Sequence, residues 1–399
     1  HIQLDLHQFG HMKMKKIALL FSVALSLVLP AAAMAASPGV FNVVDYTTPQ
    51  DAVNAAGTAG GGRVFFSQSV AVTAPIVVPG NVAIECASRG VVVSTNSPAA
   101  DLFHLQGNNT TISNCGLAYS GTVMKTSGYL VNMTAWNSHL HNIDVAGGCW
   151  VCVRSAGIAH SIVQAIFNTS NVPVAANSGL IVSTSEILQL TSITGGSMPG
   201  NLYDFGIKLL TGAIDANGLE LLLQRKPLWI APGPGQSAFW RGTTAYLDNC
   251  SQVCALLQPT GGTIGVATMV GYEFGSIAGA TPLNIDTSTF GGNVGSVTVS
   301  ASDLYSYGAS GSNAVNLMGS LGNIKFKDND IGSNLNGGLV VQGGAAALSL
   351  MISGNTLHGA GAGLWMGAVI PNLRVHDNLF GGSPMSIGGN NPANFYNNL

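Results

Sequence analysis

The stretch MISGNTLHGAGAGLW, residues 351–365, places Asn355 among apolar residues and follows it with glycine and alanine in place of a helical pattern. An apolar residue stands five and three positions before Asn355 and two positions after it. The same arrangement occurs elsewhere in the chain, so the stretch is one copy of a repeat. Clear copies centre on Ser302, Asn329 and Asn378, and weaker copies centre on Cys115 and Ile143.

The four clear centres are separated by 27, 26 and 23 residues. A period in the twenties with one short strand pattern and one turn per copy indicates a solenoid, and the intervals rich in Gly, Ser and Asn favour coils of β-strands over leucine-rich repeats. Coils of this kind stack at about 4.8 Å. Asn at a turn can adopt a left-handed backbone and bond to neighbouring peptide groups. We therefore expect a ladder of Asn329, Asn355 and Asn378 that is structural.

The segment 41–90 opens with a strand pattern, continues into a short helix with Thr48 as N-cap and Pro49 at the first helical position, and then returns to strands through GGGRVFF. Together with the C-terminal repeats, it resembles the N-terminal cap and rungs of the pectate-lyase-like superfamily. That resemblance implies an all-β fold, a right-handed parallel β-helix with a short N-terminal capping helix. It implies one domain over residues 36–399, with the cap and first rungs in 36–90 and regular rungs in 290–399.

The superfamily includes polysaccharide lyases, polysaccharide hydrolases and phage tailspikes, so the resemblance is specific for fold and weak for activity. The sequence lacks the Gly-Asp-Gly insertion after the first strand, a paired Asp-Asp, a Gly-His-Gly and an Arg-x-Pro-x-x-Arg. A site must therefore be argued from residue types.

The N-terminus has a signal-peptide pattern. A basic MKMKK, an apolar run at 17–29 and AMA at 33–35 predict a signal peptide over 12–35, preceded by a vector-derived or read-through leader at 1–11. The apolar run is short for a membrane span, so no stable membrane insertion is expected after cleavage. The predicted location is secreted or on the cell surface, and a virion is the alternative.

Composition limits the partners. Only 8% of the residues are charged, the net charge is −3 and the body has no Lys/Arg run, which argues against nucleic acid. Weakly charged surfaces are often covered by other subunits, which leaves a homotrimer or larger assembly open. No cofactor is expected. The six Cys residues are expected to be buried thiols, although Cys250 and Cys254 could pair; Cys149 and Cys152 are three apart on a strand-like run and make a poor redox or zinc motif.

The preferred candidate site is the segment 202–250, which combines carboxylates, cations and aromatic residues with the loop signal APGPGQ. Aromatic faces stack on sugars, and Arg or Lys binds uronate carboxylates. Carboxylates from adjacent rungs could act as acid and base. The candidate catalytic residues are Asp204, Glu220 and Asp248; the candidate substrate-binding residues are Tyr203, Arg225, Lys226, Trp229, Trp240 and Arg241.

A second candidate patch follows from strand alternation in the last rungs. Residues four and two positions before each centre should face outward, and the residue just before the centre lies at the turn. The patch consists of Lys325, Lys327, Asp328, Arg374, His376 and Asp377. Two rungs would separate the two Asp residues by about 10 Å, near the wide end for an inverting glycosidase. Local ion pairs on a solvated surface are the plainer interpretation.

The histidines do not define a metal site. His358 follows a rung turn and is expected to be structural, because a base needs an orienting partner. His139 and His141 point to one face near Asp144, but a third clear ligand is missing, so no metal is predicted. Three functions stay open: a polysaccharide-binding protein that cleaves its ligand by hydrolysis or β-elimination, a tailspike or receptor-binding virion protein, and a non-catalytic surface or assembly protein.

Overall fold

The computed structural model describes residues 39–123, 125–168, 177–196, 202–277, 279–307, 312–381 and 384–399. Parallel strands are wound into a solenoid with two sheets, a 22-stranded sheet A and a 13-stranded sheet B. The predicted all-β parallel solenoid is therefore confirmed. The predicted leader and signal peptide lie outside the described residues. Within the described ranges, no helix has the length and apolar character needed to cross a bilayer.

Sheet B contains one short strand from each coil. Its strands are β4 Ile76–Val78, β7 Phe103–Leu105, β10 Tyr129–Met133, β12 Val151–Ser155, β14 Gly179–Ser183, β16 Tyr203–Leu209, β18 Gln224–Ile230, β20 Val253–Leu257, β22 Thr281–Asp286, β25 Val315–Met318, β28 Gly337–Val341, β31 Ala362–Met366 and β34 Met385–Ser386.

Sheet A contains the remaining strands. They are β1 Val40–Asn42, β2 Gly62–Phe66, β3 Val70–Val72, β5 Val82–Cys86, β6 Val92–Thr95, β8 Thr110–Ser113, β9 Gly116–Tyr119, β11 Ser138–Ala146, β13 His160–Asn168, β15 Ile187–Gly196, β17 Gly212–Leu222, β19 Ser237–Cys250, β21 Thr263–Ser276, β23 Asn293–Ser300, β24 Asp303–Ser306, β26 Ser320–Lys327, β27 Asp330–Ser333, β29 Ala346–Ser353, β30 Thr356–Gly359, β32 Leu373–His376, β33 Leu379–Phe380 and β35 Phe395–Tyr396.

Sheet A bends where one residue per coil takes a left-handed backbone. These bend residues have φ between 50° and 68° and lie in register, which divides sheet A into a first arm before the bend and a second arm after it. The bend residues are Asn114, Asn142, Gln164, Ser192, Gly218, Thr244, Gly271, Ala301, Asp328, Gly354, Asp377 and Asn397.

The predicted Asn ladder lies just after this bend. The Asn355 Oδ1 accepts hydrogen bonds of 2.9 Å from both the backbone N–H and the Nδ2 of Asn329, and Asn355 Nδ2 donates to Asn378 Oδ1 at 3.0 Å. The ladder is confirmed and continues to Asn398. The predicted left-handed backbone belongs to the preceding residue, such as Asp328, and not to the Asn itself. The turning residue points outward, so the buried Asn side chain is free to bond to the next coil.

All six aligned centres of the repeat occupy this same column. Residues flanking Cys115 pair with those flanking Ile143, and the same register relates Ser302, Asn329 and Asn355. Apolar residues beside these centres point inward and are almost fully buried, as in Ile352 and Leu357. Because the apolar side chains alternate with outward ones, the coils share one continuous hydrophobic core.

The predicted helix is α1, Pro49–Thr58. Thr48 and Asp51 form a capping box at its start, and Pro49 occupies the first turn, as the sequence predicted. Ala52, Val53 and Ala56 are buried against the first coils. The helix is confirmed, while its role as a cap and the single-domain boundaries of 36–399 stay predictions. Two short 3-10 helices, Val43–Asp45 and Pro392–Asn394, complete the described helical structure.

The expectation of buried free thiols is wrong. The six Cys residues form three disulfides, Cys86–Cys115, Cys149–Cys152 and Cys250–Cys254. Strand alternation does not separate the second pair, because Cys149 precedes strand β12 and its side chain is free to turn toward Cys152.

Replacing Asn355 with Ala should destabilise the fold by about 2–3 kcal/mol, because the Asn329 backbone N–H and two buried carbonyls lose their partner. Urea unfolding of Asn355→Ala measures this loss. The control Asn323→Ala removes an exposed Asn from strand β26 of sheet A. It should change the free energy of unfolding by less than about 0.5 kcal/mol. Equal effects of the two changes would contradict a structural role for the ladder.

Candidate functional site

The solenoid presents three outward surfaces: sheet B, the first arm of sheet A and the second arm of sheet A. The predicted site residues of segment 202–250 are distributed over all three. Asp204, Arg225, Lys226 and Trp229 lie on sheet B strands, Arg241 lies on the first arm, and Glu220 and Asp248 lie on the second arm. The three predicted catalytic carboxylates therefore do not meet at one point.

Two of the predicted binding residues are inside the core. Tyr203 is fully buried and its hydroxyl donates to the Cys149 carbonyl at 3.0 Å. Trp240 is also fully buried, and its Nε1 donates to the Tyr272 hydroxyl at 3.0 Å. Both side chains pack between coils, so neither reaches a ligand on the surface. Both are aromatic residues of a charged segment, but their positions on the strands turn them inward.

The outer face of sheet B gathers three of the predicted residues into one cluster. Lys226 Nζ lies 2.9 Å from Asp204 Oδ1 and 4.6 Å from the centre of the Trp229 ring. Lys208, which sequence reasoning missed, lies in register with Trp229 and places its Nζ 3.5 Å from the same ring. Phe205 packs edge-on to Trp229, with ring centres 6.5 Å apart. We call Asp204, Phe205, Lys208, Lys226 and Trp229 the lysine cluster.

Burial changes the chemistry of the lysine cluster. Desolvation lowers the pKa of Lys208 to about 8, with Asp204 acting to raise it and Lys226 to lower it further. Asp204 is only 8% exposed and is held by Lys226. Lys208 makes no ion pair within the described residues, and the Trp229 Nε1 finds no hydrogen-bond partner there. The cluster thus has two ammonium groups for one carboxylate and unused hydrogen-bonding capacity.

The first arm has a shallow groove of about 420 Å³ beside Arg241 and Asp215. Arg241 Nη2 donates to Asp215 Oδ2 at 2.9 Å, so its guanidinium is already paired. This pair is well exposed. Arg241 therefore lies beside a shallow groove on the first arm, away from the lysine cluster.

The second candidate patch lies on the first arm as strand alternation predicts. Lys325 and Lys327 face outward around the buried Phe326, and Arg374 and His376 repeat this two rungs later. Local pairs occupy part of its charge: Lys327 lies 3.3 Å from Asp328, and His376 Nδ1 lies 2.7 Å from Asp377. Lys325 and Arg374 make no ion pair within the described residues. The two Asp residues are bend residues two rungs apart.

The second arm carries the other predicted carboxylates, Glu220 and Asp248. Glu273, Asp303 and Asp330, which were not predicted, continue the column of Glu220 along the solenoid. Burial and then the neighbouring charges of Asp330 and Glu273 raise the pKa of Asp303. The Tyr246 hydroxyl donates to Asp248 at 2.9 Å, which raises the Tyr246 pKa to about 12. A shallow groove of about 500 Å³ runs along this arm beside Glu220.

The histidines are held by local partners. His358 Nε2 lies 2.9 Å from Asp330 Oδ1, beside the Tyr305 ring. His139 contacts Ser161 and Asn137, while Asp144 pairs with Arg89. Across the described ranges, no group of three or more His, Cys, Asp or Glu is arranged to hold a metal ion.

The sequence around Lys208 contains a pattern that predicts its outward position. It stands between Ile207 and Leu209 in a strand pattern, which is an outward position. Its neighbour Trp229 is 21 residues away, and the sequence repeat did not fix the register of the middle coils. Only the strand pairing of β16 with β18 brings the two together.

Comparison with known proteins establishes the fold. No protein-family model matches the chain, and no curated protein matches its sequence. The structure is similar to the A-module of a mannuronan C-5 epimerase from Azotobacter vinelandii, with 14% identity, 90% of this chain and 97% of that chain covered, and a TM-score of 0.50. It is also similar to a surface adhesin of Streptococcus pneumoniae, with 12% identity, coverage of 79% and 91%, and a TM-score of 0.52.

The tailspike protein of the phage Dettilon matches at 11% identity, with coverage of 88% and 64% and a TM-score of 0.44. At these identities the likeness concerns the fold alone. The chain is a parallel β-solenoid similar in fold to the epimerase module and the adhesin, which confirms the predicted fold resemblance.

Two substitutions near Lys208 should shift its pKa in opposite directions. Asp204→Asn should lower the pKa of Lys208 further, because the carboxylate raises it, and Lys226→Met should raise that pKa, because the second ammonium lowers it. Competitive acetylation at several pH values, read by mass spectrometry, reports the pKa of this one amine. A Lys208 pKa that moves in the same direction in both variants would contradict the described arrangement.

Proposed function

We propose that this protein binds an acidic polysaccharide on the outer face of sheet B, with the lysine cluster recognising a uronate carboxylate. The proposal rests mainly on one observation: two lysine ammonium groups lie against one Trp ring, and the one carboxylate of the cluster, Asp204, pairs with Lys226. An arrangement with surplus positive charge favours an anionic ligand.

The chemistry of the cluster suits a sugar acid. Lys208 has no carboxylate partner in the described residues and is partly desolvated, so an incoming carboxylate gains a charge-assisted hydrogen bond at low local dielectric. Lys226 is already oriented by Asp204, which reduces the entropy lost when the ligand binds.

Export and an extracellular place of action belong to the same proposal. They rest on the signal-peptide pattern of residues 12–35 and agree with the three disulfides, because disulfides persist in oxidising compartments.

Replacing Lys208 with Met keeps much of the side-chain volume and removes the charge. We expect Lys208→Met to weaken binding of a polyuronate such as mannuronan by about tenfold, as for the loss of one charged hydrogen bond. Isothermal titration calorimetry with purified oligosaccharides measures the affinity. Binding should also weaken as ionic strength rises.

The matched control is Lys325→Met, the same change on the first arm. It should leave the affinity unchanged, because Lys325 lies on a different surface. Loss of binding in Lys325→Met with none in Lys208→Met would move the proposed site to the second candidate patch. Absence of binding to any acidic polysaccharide would overturn the proposed function.

A second candidate function is β-elimination at the same cluster, favoured by the Lys208 pKa of about 8. A neutral Lys208 amine would take the proton from the carbon beside the uronate carboxylate, while Lys226 balances the charge on that carboxylate. The electron pair left behind forms a carbon–carbon double bond, the bond to the neighbouring glycosidic oxygen breaks, and that oxygen takes a proton from water.

This chemistry predicts a pH dependence. Below about pH 8 Lys208 is mainly protonated and cannot accept a proton, so the rate of unsaturated-sugar formation should rise with pH up to about 8 and then level off. Absorbance of the unsaturated product and polymer length are followed together, with Lys208→Met as the inactive comparison. Shortening without absorbance would instead indicate hydrolysis and point to Glu220 and Asp248.

A further inference from the structure

The lysine cluster is one part of a longer column on sheet B. One outward residue per rung lies in register with the next, so their side chains form a line parallel to the solenoid axis. In chain order the column runs through His104, Asn132, Arg154, Val182, Lys208, Trp229, Leu256 and Asn284.

Arg154 repeats the features of Lys208. Its guanidinium lies 5.8 Å from the centre of the Tyr129 ring, and Trp150 packs beside that ring with centres 6.3 Å apart. Like Lys208, Arg154 makes no ion pair with a carboxylate of the described residues and is only partly exposed. The column therefore holds two unpaired cations, each placed on an aromatic ring.

The two cations are two rungs apart, with Val182 between them. At about 4.8 Å per rung this separation is about 10 Å along the axis. A pyranose unit in an extended polysaccharide is about as long as one rung, so successive sugars fall on successive rungs. A carboxylate that the sugar over Val182 turns toward the sheet would be taken from water without a cation to receive it, which is unfavourable.

Unused polar atoms mark the same line. Among the described residues, the Asn132 Oδ1, the Trp229 Nε1 and the Asn284 Oδ1 are buried without a hydrogen-bond partner, and all three belong to this column. Asn132 is only 6% exposed and uses its Nδ2 on Asp101, which leaves its carbonyl oxygen unpaired beside Arg154 in the register. These atoms are buried, so a ligand reaches them only if their side chains turn outward.

We infer that the ligand of sheet B is a polysaccharide with a carboxylate on every second sugar, lying along the column with acidic sugars at Arg154 and Lys208 and an uncharged sugar at Val182. The inference rests on the proposed function and narrows its substrate class. Arg154 is a second anion-binding residue, and Val182 determines the specificity for the uncharged sugar.

Two oligosaccharides of equal length test this assignment. One alternates glucuronate with N-acetylglucosamine, and the other is a homo-oligomer of mannuronate. The alternating compound should bind the wild-type protein at least about tenfold more tightly, and Arg154→Met should reduce that affinity by about tenfold, as for one charged hydrogen bond.

A variant that gains affinity gives a result that misfolding cannot produce. Val182→Lys places a cation on the intermediate rung, so it should tighten binding of the mannuronate oligomer and reduce the preference for the alternating compound. Thr298→Lys adds the same charge to the first arm and should leave the preference unchanged.

The results distinguish failure of the alternation from failure of acidic-polysaccharide binding. Equal binding of both compounds, unaffected by Arg154→Met and Val182→Lys, would overturn the alternation while acidic-polysaccharide binding at Lys208 stands. No binding of either compound would overturn the proposed function and the inference with it. A preference for the alternating compound that is smaller in Val182→Lys than in the wild-type protein, and unchanged in Thr298→Lys, supports both.

Discussion

Parallel backbone hydrogen bonding between successive coils is the constraint on which the structure depends. It holds each rung in register with the previous one, so a position in one coil is repeated at the same place in every coil. The bend illustrates this register, because twelve coils of the described chain place a residue with a left-handed backbone in one column. The identity of that residue varies among Asn, Gln, Ser, Thr, Ala, Asp and Gly, so the backbone conformation and not the side chain is what repeats.

The Asn ladder satisfies the polar groups that this bend leaves in the core. A buried backbone N–H next to a left-handed residue cannot continue the sheet, and the side chain of the next coil's Asn accepts its hydrogen bond instead. A second set of Asn residues, Asn81, Asn109 and Asn137, links side chains in the same way near the start of the solenoid. Both ladders therefore join coil to coil through amides where the chain turns.

The same register decides the charge of each surface. Since positions repeat by column, unpaired cations on aromatic rings align on sheet B and carboxylates align on the second arm. The last rungs of the first arm carry a mixture of locally paired and unpaired charges. A chain with few charges can in this way concentrate them on particular faces. The partly desolvated Lys208 on the Trp229 ring is the strongest example, because burial lowers its pKa while the ring contacts its ammonium group.

Local spacing along the chain was enough to predict the solenoid, the position of α1, the Asn ladder and the alternation that turns Lys325 and Lys327 outward. The sequence also placed Asp204, Lys226 and Trp229 among the candidate site residues, but grouped them with the buried Tyr203 and Trp240 and with Glu220 and Asp248 on another face. The contacts between side chains on different coils follow only from the tertiary structure. Examples are Lys208 with Trp229 and the Cys86–Cys115 disulfide. Because coil lengths vary, distance along the chain does not reveal the register of the middle strands. That register depends on backbone hydrogen bonds between coils.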